Sequence, residues 1–255
     1  MRTAARRLLA TVTAALLMGL SAEAWSGPPV DAACAVPDSV LTVDTALPRV
    51  AERLNAGLPL SILVVNSVKP APRPATVGYP VRLAKELKAR LPGRQVDVLV
   101  LSLPGEMAPG MVAPLLDAVS QQQTALVVWQ TGTVDAMRSL DPESFGTALE
   151  NGIAAVQRMG ADLVVMDMQY SPHTAQVIDF APYVNYVAWM SRNDGVFHFP
   201  RYAIMRHWVE EGRVDFADES PQAKQDAYEF VHRCIGQLLA ESIAAMIDTM
   251  HGAPP

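Results

Sequence analysis

The chain has 255 residues, 26 acidic against 20 basic, for a formal net charge of −6, a balance that argues against nucleic acid because nucleic-acid binding selects basic patches. Hydrophobic residues make up 50% of it, enough for one sizeable core, and single α/β domains often run to about 200–250 residues, so a second core is not required. Only two cysteines are present, and the five histidines have no pair three to five residues apart, so no zinc-type spacing exists and no metal or cofactor is expected.

The first residues carry Arg2, Arg6 and Arg7, then an apolar run from Leu8 to Leu20, then Ser21-Ala22-Glu23-Ala24. This is the pattern of a secretory signal, residues 1–24, with cleavage after Ala24. The run is shorter than the roughly 20 residues of a spanning helix, and no transmembrane span is expected once the signal is removed. Loss of the leader's three arginines and Glu23 moves the net charge from −6 to −8. Such a chain is placed in the periplasm or outside a bacterial cell, where thiols meet an oxidising compartment. Cys34 and Cys234 are therefore expected to pair. The alternatives are two separate buried thiols, or lipid attachment at Cys34, which the distance of Asp31-Ala32-Ala33 from the apolar run disfavours.

Residues 25–59 read as an N-terminal connecting segment with a short helical piece from Leu47 to Leu54, and residues 60–251 as an α/β domain. Short runs rich in Val, Ile and Leu recur between amphipathic stretches: Ile62–Val65, Val96–Leu101, Ala125–Trp129, Leu163–Met168 and Val196–Phe199. They have the character of parallel strands buried on both faces. Pro80 opens a helix with Val81, Leu83, Ala84 and Leu87 on one side. Asp141-Pro142-Glu143 is an N-cap followed by proline at the first helical position, and Gly160 ends that helix. Further helices are expected around Met111–Ser120, Tyr183–Arg192, Tyr202–Glu211 and Gln222–Met250. The fold class that follows is a three-layer, doubly wound, mainly parallel sheet of about five strands with flavodoxin-like winding. Lys69-Pro70-Ala71-Pro72-Arg73-Pro74 reads as a stiff loop.

In open sheets of this kind ligands sit beyond the carboxyl ends of the strands, and the segments there share a pattern. Val127 to Ala136, with Gln130-Thr131-Gly132-Thr133-Val134-Asp135 at its centre, resembles the third conserved block of the SGNH (GDSL-type) hydrolases, a strand ending in Gly-Thr-Asn-Asp. Leu101-Ser102-Leu103-Pro104-Gly105-Glu106 is similar to the second block, and Met166-Asp167-Met168-Gln169-Tyr170 with Phe199-Pro200-Arg201-Tyr202 resembles an exported bacterial subgroup. The resemblance extends over nearly all of the chain after the leader. It implies an esterase scaffold with a serine nucleophile, a glycine amide and an asparagine side chain for the oxyanion, and an Asp-x-x-His pair before the last helix. An unactivated hydroxyl needs such a base, and the developing charge needs preorganised donors.

At the positions the resemblance points to, this chain carries other residues. Asn66-Ser67-Val68 aligns with Gly-Asp-Ser, so Val68 stands at the nucleophile position; a one-residue slip restores Ser67. Ser102 replaces the first glycine of the second block while Gly105 is retained. Val134 replaces the asparagine, a change worth about 10²–10³ in rate. Ser220-Pro221-Gln222-Ala223-Lys224-Gln225 matches Ser-Pro-Asp-x-x-His, with Gln222 for the aspartate and Gln225 for the histidine. Glutamine has no titratable group near neutral pH and cannot relay the proton, although its size and polarity would let that loop keep its hydrogen bonds.

The expected pocket is lined by Ser67, Val68, Ser102, Gly105, Val134, Gln169, Tyr170, Gln222 and Gln225, with no conventional catalytic residue. His173, after the fourth strand, is the replacement base to weigh with Ser67. His207 and His232 read as packing or surface residues on helices, and His251 as an exposed tail residue. Asp215 and Asp218 read as solvated loop residues. Arg201, Arg206 and Trp208 are expected to lock the last strand to its helix, although an arginine near an empty pocket also suits an anionic ligand. The expectation is a binding or accessory module for envelope saccharides or small esters, with a protein partner in the envelope. The rivals are an active esterase using Ser67 and a purely structural envelope protein.

Overall fold

The computed structural model describes residues 27–69 and 77–251, with the side chains of residues 250 and 251 left out. The signal segment, most of the proline-rich loop and the side chain of His251 lie outside the described residues.

Five parallel strands form one sheet: β1 (Leu60–Asn66), β2 (Val96–Ser102), β3 (Leu126–Gln130), β4 (Asp162–Met166) and β5 (Phe197–Phe199), in the order β2-β1-β3-β4-β5. The order reverses beside β1, so the chain winds one way to the edge strand β2 and the other way through β3, β4 and β5, as its strand and helix alternation leads one to expect. Helices α1 (Pro48–Asn55), α2 (Tyr79–Arg90), α8 (Arg201–Glu210) and α9 (Pro221–His251) bury their apolar residues with Ile62, Val64, Val128 and Phe199. Helices α3 (Ala108–Gln122), α5 (Pro142–Arg158) and α7 (Ala181–Asp194) pack with Leu63, Val65, Trp129 and Val165. Alternate residues of one strand therefore feed opposite cores, which is why β1 and β3 read as unbroken apolar runs.

The start and stop signals of α5 hold. Asp141 Oδ2 accepts from the Ser144 amide at 3.0 Å, Pro142 sits at the first helical position, and Gly160 takes a φ of +79°, a conformation that costs glycine little. Two short helices have no counterpart in the periodicity, α4 (Thr133–Met137) and α6 (Pro172–Val177). The expectation of strands buried on both faces fails at β2. It is an edge strand, and Leu99 and Val100 are exposed on it.

Cys34 and Cys234 form a disulfide with Cα atoms 4.9 Å apart, closing a separation of 200 residues. The bridge pins the segment before α1 to α9, and the same junction is tied by Trp208 Nε1, which donates to the Cys34 carbonyl at 3.1 Å. Helix α9 is long and apolar enough to cross a membrane by length and composition, yet 67% of its apolar window is buried within the protein. It is the central helix of one core.

Candidate functional site

The carboxyl edge of the sheet is assembled by backbone hydrogen bonds between the loops that follow β1 and β2. Leu103 donates its amide to Asn66 O at 2.8 Å and Gly105 donates to Ser67 O at 3.1 Å. Gly105 has a φ of +75°, a conformation that favours glycine there. Asn66 Oδ1 accepts from the Val68 amide at 3.0 Å, so the Asn66-Ser67-Val68 turn is set by its own side chain. Val68 is 53% exposed and Ser67 half-buried. No hydrogen bond joins Ser67 Oγ to a described histidine.

The third block is held by Asp135. Its buried carboxylate accepts the Ala108 amide at 2.7 Å and the Gly132 amide at 3.1 Å, joining the starts of α3 and α4. Burial raises its pKa, and the amide bonds oppose the rise. Gly132, at φ +90°, lies so close to Met168 that an added Cβ would be 2.3 Å from its Cε. Gly132 and Asp135 are thus required by the turn itself. Val134, between them and half-buried, takes no part in it and brings no donor to the edge.

Gln222 and Gln225 stand within the first turns of α9 rather than in a loop before it. The Gln222 amide donates to Asp226 Oδ1 at 2.8 Å and the Gln225 amide to Glu229 Oε1 at 3.1 Å, each one helical turn on. Glu229 also meets Arg82 on α2. The expected loop hydrogen bonds are replaced by bonds along the helix, because Pro221 already opens the helix at its first position.

A cavity of about 390 Å³ opens at this edge between the loop after β4, α8, the 215–219 loop and α9. Of the expected pocket residues it takes in Gln169, and it adds His173, Arg201, Tyr228 and His232. His232 is no simple packing residue. Its Nδ1 accepts the Tyr79 amide at 3.0 Å, and burial together with Arg201 and Arg82 pushes its pKa down to about 3. Tyr79 in turn donates its hydroxyl to Gln130 Oε1 at 3.1 Å. Burial drives the Tyr79 phenol pKa up.

Of the expected lock by Arg201, Arg206 and Trp208, the packing is present at Arg201 and Trp208, both buried, whereas the arginine hydrogen bonds between strand and helix are not formed among the described residues. Arg201 is 4% exposed but makes no side-chain hydrogen bond or ion pair with any described residue, and its Nε is buried without an acceptor. Arg206 is exposed and, among the described residues, forms its ion pair with Glu210 at 3.5 Å. The lock is made instead by Asp167, fully buried after β4. It accepts the Tyr202 amide at 2.8 Å and faces His198 Nε2 at 2.9 Å. The pair is not legible in the sequence because Asp167 follows β4 and His198 lies on β5, 31 residues away. Asp-Met after an apolar run was the only local sign.

Among the described residues no group of three His, Cys, Asp or Glu side chains comes together as a metal site. Residues 33–249 match the profile of the non-GDSL lipase-like family. The chain belongs to that family. Among curated proteins no sequence matches it. In solved structures this non-GDSL lipase-like protein is similar to TesA, with 16% identity and a TM-score of 0.56 over 71% of this chain and 99% of TesA. It is also similar to Axe2, an acetylxylan esterase from Geobacillus stearothermophilus, with 13% identity and a TM-score of 0.57 over 72% of this chain and 94% of Axe2. A third likeness is to the psychrotrophic esterase EstA from Pseudoalteromonas sp., with 14% identity and a TM-score of 0.51 over 76% of this chain and 99% of EstA. At these identities the likeness establishes the SGNH-type fold.

Proposed function

We propose that this member of the non-GDSL lipase-like family is an exported, non-catalytic binding protein that holds a small saccharide or ester at the carboxyl edge of its sheet. The observation that carries the reading is the first two turns of α9. Gln222 and Gln225 direct their amides into Asp226 and Glu229, where the resemblance implies an acid-base pair, and an amide cannot accept or return a proton. The histidine deepest in the adjoining cavity, His232, has its Nδ1 committed to a backbone amide. Neither feature suits a general base.

Export is supported by the leader and by a disulfide, which fits an oxidising compartment; a periplasmic or secreted bacterial location is part of the proposal. The ligand class rests on analogy of fold. Axe2 is an acetylxylan esterase, and a scaffold that lost its base could retain affinity for such acylated sugars. A protein partner in the envelope is part of the same analogy.

The test is hydrolysis of p-nitrophenyl acetate by the purified protein. The rate is expected to equal that of buffer and to be the same in Ser67→Ala. Turnover well above buffer that disappears in Ser67→Ala would establish the active-esterase reading instead.

A further inference from the structure

We infer that the cavity beside the first turns of α9 binds a small hydroxyl-bearing carboxylate, with Arg201 as the anchor for its carboxyl group. The inference names the ligand chemistry of the binding role proposed above, and rests on that role only in using the same cavity.

A guanidinium carries five N–H donors and keeps its charge in proteins. Taking it out of water without a counter-ion is strongly unfavourable. Arg201 is nonetheless buried at the cavity wall with no acceptor among the described residues. The groups around it are already engaged. The Asp167 carboxylate attracts the Arg201 charge without a hydrogen bond to it, because its two oxygens go to His198 and to the Tyr202 amide.

His232 adds to the deficit of acceptors. Its Nδ1 receives the Tyr79 amide, so the neutral ring carries its proton on Nε2. The ring lines the same cavity. That end of the site therefore holds a buried guanidinium that feels the Asp167 charge but has no hydrogen-bonded counter-ion among the described residues, beside a neutral imidazole, and an anion would supply the missing acceptor.

The remaining walls select among anions. Asp215, Asp218 and Glu219 line the cavity as well, with Lys224 paired to Glu219 at 2.8 Å. A monoanion balances Arg201, whereas a phosphate dianion would add surplus negative charge facing three carboxylates. The planar guanidinium fork also matches a carboxylate through two parallel N–H···O bonds. The acidic residues, together with Gln169 and Ser171, can accept from hydroxyl groups on the ligand's body. A uronic acid has this combination of one carboxylate and a ring of hydroxyls, and about 390 Å³ is within the range of small-molecule sites.

The experiment is calorimetric titration of the purified protein with glucuronate, glucose and inorganic phosphate at matched ionic strength. Saturable binding of glucuronate is expected, with none for glucose and weaker binding for phosphate. Arg201→Met, which keeps the bulk of the side chain and removes its charge, is expected to weaken glucuronate binding about 10- to 100-fold. Its melting temperature should equal or exceed that of the unsubstituted protein, because an unpaired buried charge is removed. The contrast among the three probes in the unsubstituted protein needs no variant. Absence of glucuronate binding, equal binding of glucose, tighter binding of phosphate, or undiminished binding in Arg201→Met overturns the inference. Hydrolysis of p-nitrophenyl acetate would overturn the non-catalytic reading and leave this one standing, and an inert protein indifferent to glucuronate would do the reverse.

Discussion

At Asp135 both carboxylate oxygens accept buried backbone amides, from Ala108 and Gly132, so the residue is needed to start two helices whether or not any chemistry occurs. Asp135→Ala leaves those two N–H groups unpaired, at about 1–3 kcal/mol each. The expected result is a loss of roughly 2–5 kcal/mol, read as a lower urea midpoint. Val134 has no such duty, and neither do Gln222 and Gln225, whose side-chain hydrogen bonds among the described residues run within α9. On the binding role proposed above, this difference would let Asp135 persist for the fold while the residues at the other block positions vary. Restoring Gln222→Asp and Gln225→His together is expected to leave p-nitrophenyl acetate hydrolysis at the buffer rate, because Val134 still supplies no oxyanion donor and Val68 no hydroxyl. Turnover in that double variant would identify Ser67 as a competent nucleophile.

Helices α2 and α9 approach each other at Gly236, where an added Cβ would lie 2.8 Å from Arg82 Cβ and 3.3 Å from the Leu83 amide nitrogen. Neither atom is the end of a flexible chain. Gly236→Ala therefore has to separate the helices, and overpacking of about 1–3 kcal/mol outweighs the roughly 1 kcal/mol that alanine contributes to helix propensity. A melting temperature lowered by a few degrees, roughly 2–4 °C per kcal/mol at this size, is the expected reading. An unchanged or raised value would mean that α2 yields freely. The longer elements were legible in the sequence because Asp141-Pro142, Gly160 and the strand runs each carry a local physical signal. Helices α4 and α6, with 5 and 6 residues, are too short to show a period of 3.6. The exposure of Leu99 and Val100 follows from β2 lying at the sheet edge, a property of strand order that its apolar run does not encode. The positions of Gln222 and Gln225 were legible as residue types, but their partners depended on the helix starting at Pro221. Arg201 is legible as a residue type, yet its lack of a hydrogen-bonded carboxylate depends on Asp167 bonding His198 and Tyr202, residues 31 and 35 positions away.

For the molecule as a whole, two half-buried groups on different elements set opposing responses to acid. Asp162, at the start of β4, accepts the Val50 amide in the first turn of α1 at 2.9 Å, and burial raises its pKa to about 6 from 3.8. As pH falls through 6 toward 4 the folded state takes up this proton before the unfolded chain does, so Asp162 makes the protein more stable on acidification. His232 acts the other way. Its folded pKa of about 3 lies below the ordinary 6.5, so the unfolded chain is protonated first and stability falls as pH drops from about 6.5 toward 3. Between pH 6 and 4 the two contributions oppose each other, and below 4 only the His232 loss continues. Asp162→Asn can still accept the Val50 amide but no longer titrates; its stability is expected to fall more steeply than that of the unsubstituted protein between pH 7 and 4. His232→Gln is expected to gain stability over the same interval. Urea midpoints at pH 7.5 and 4.5 for the three proteins measure both slopes. Parallel pH dependence in all three would show that neither group titrates differently in the folded and unfolded chains, and would remove the physical ground for treating His232 as a fixed neutral donor at the wall of the Arg201 cavity.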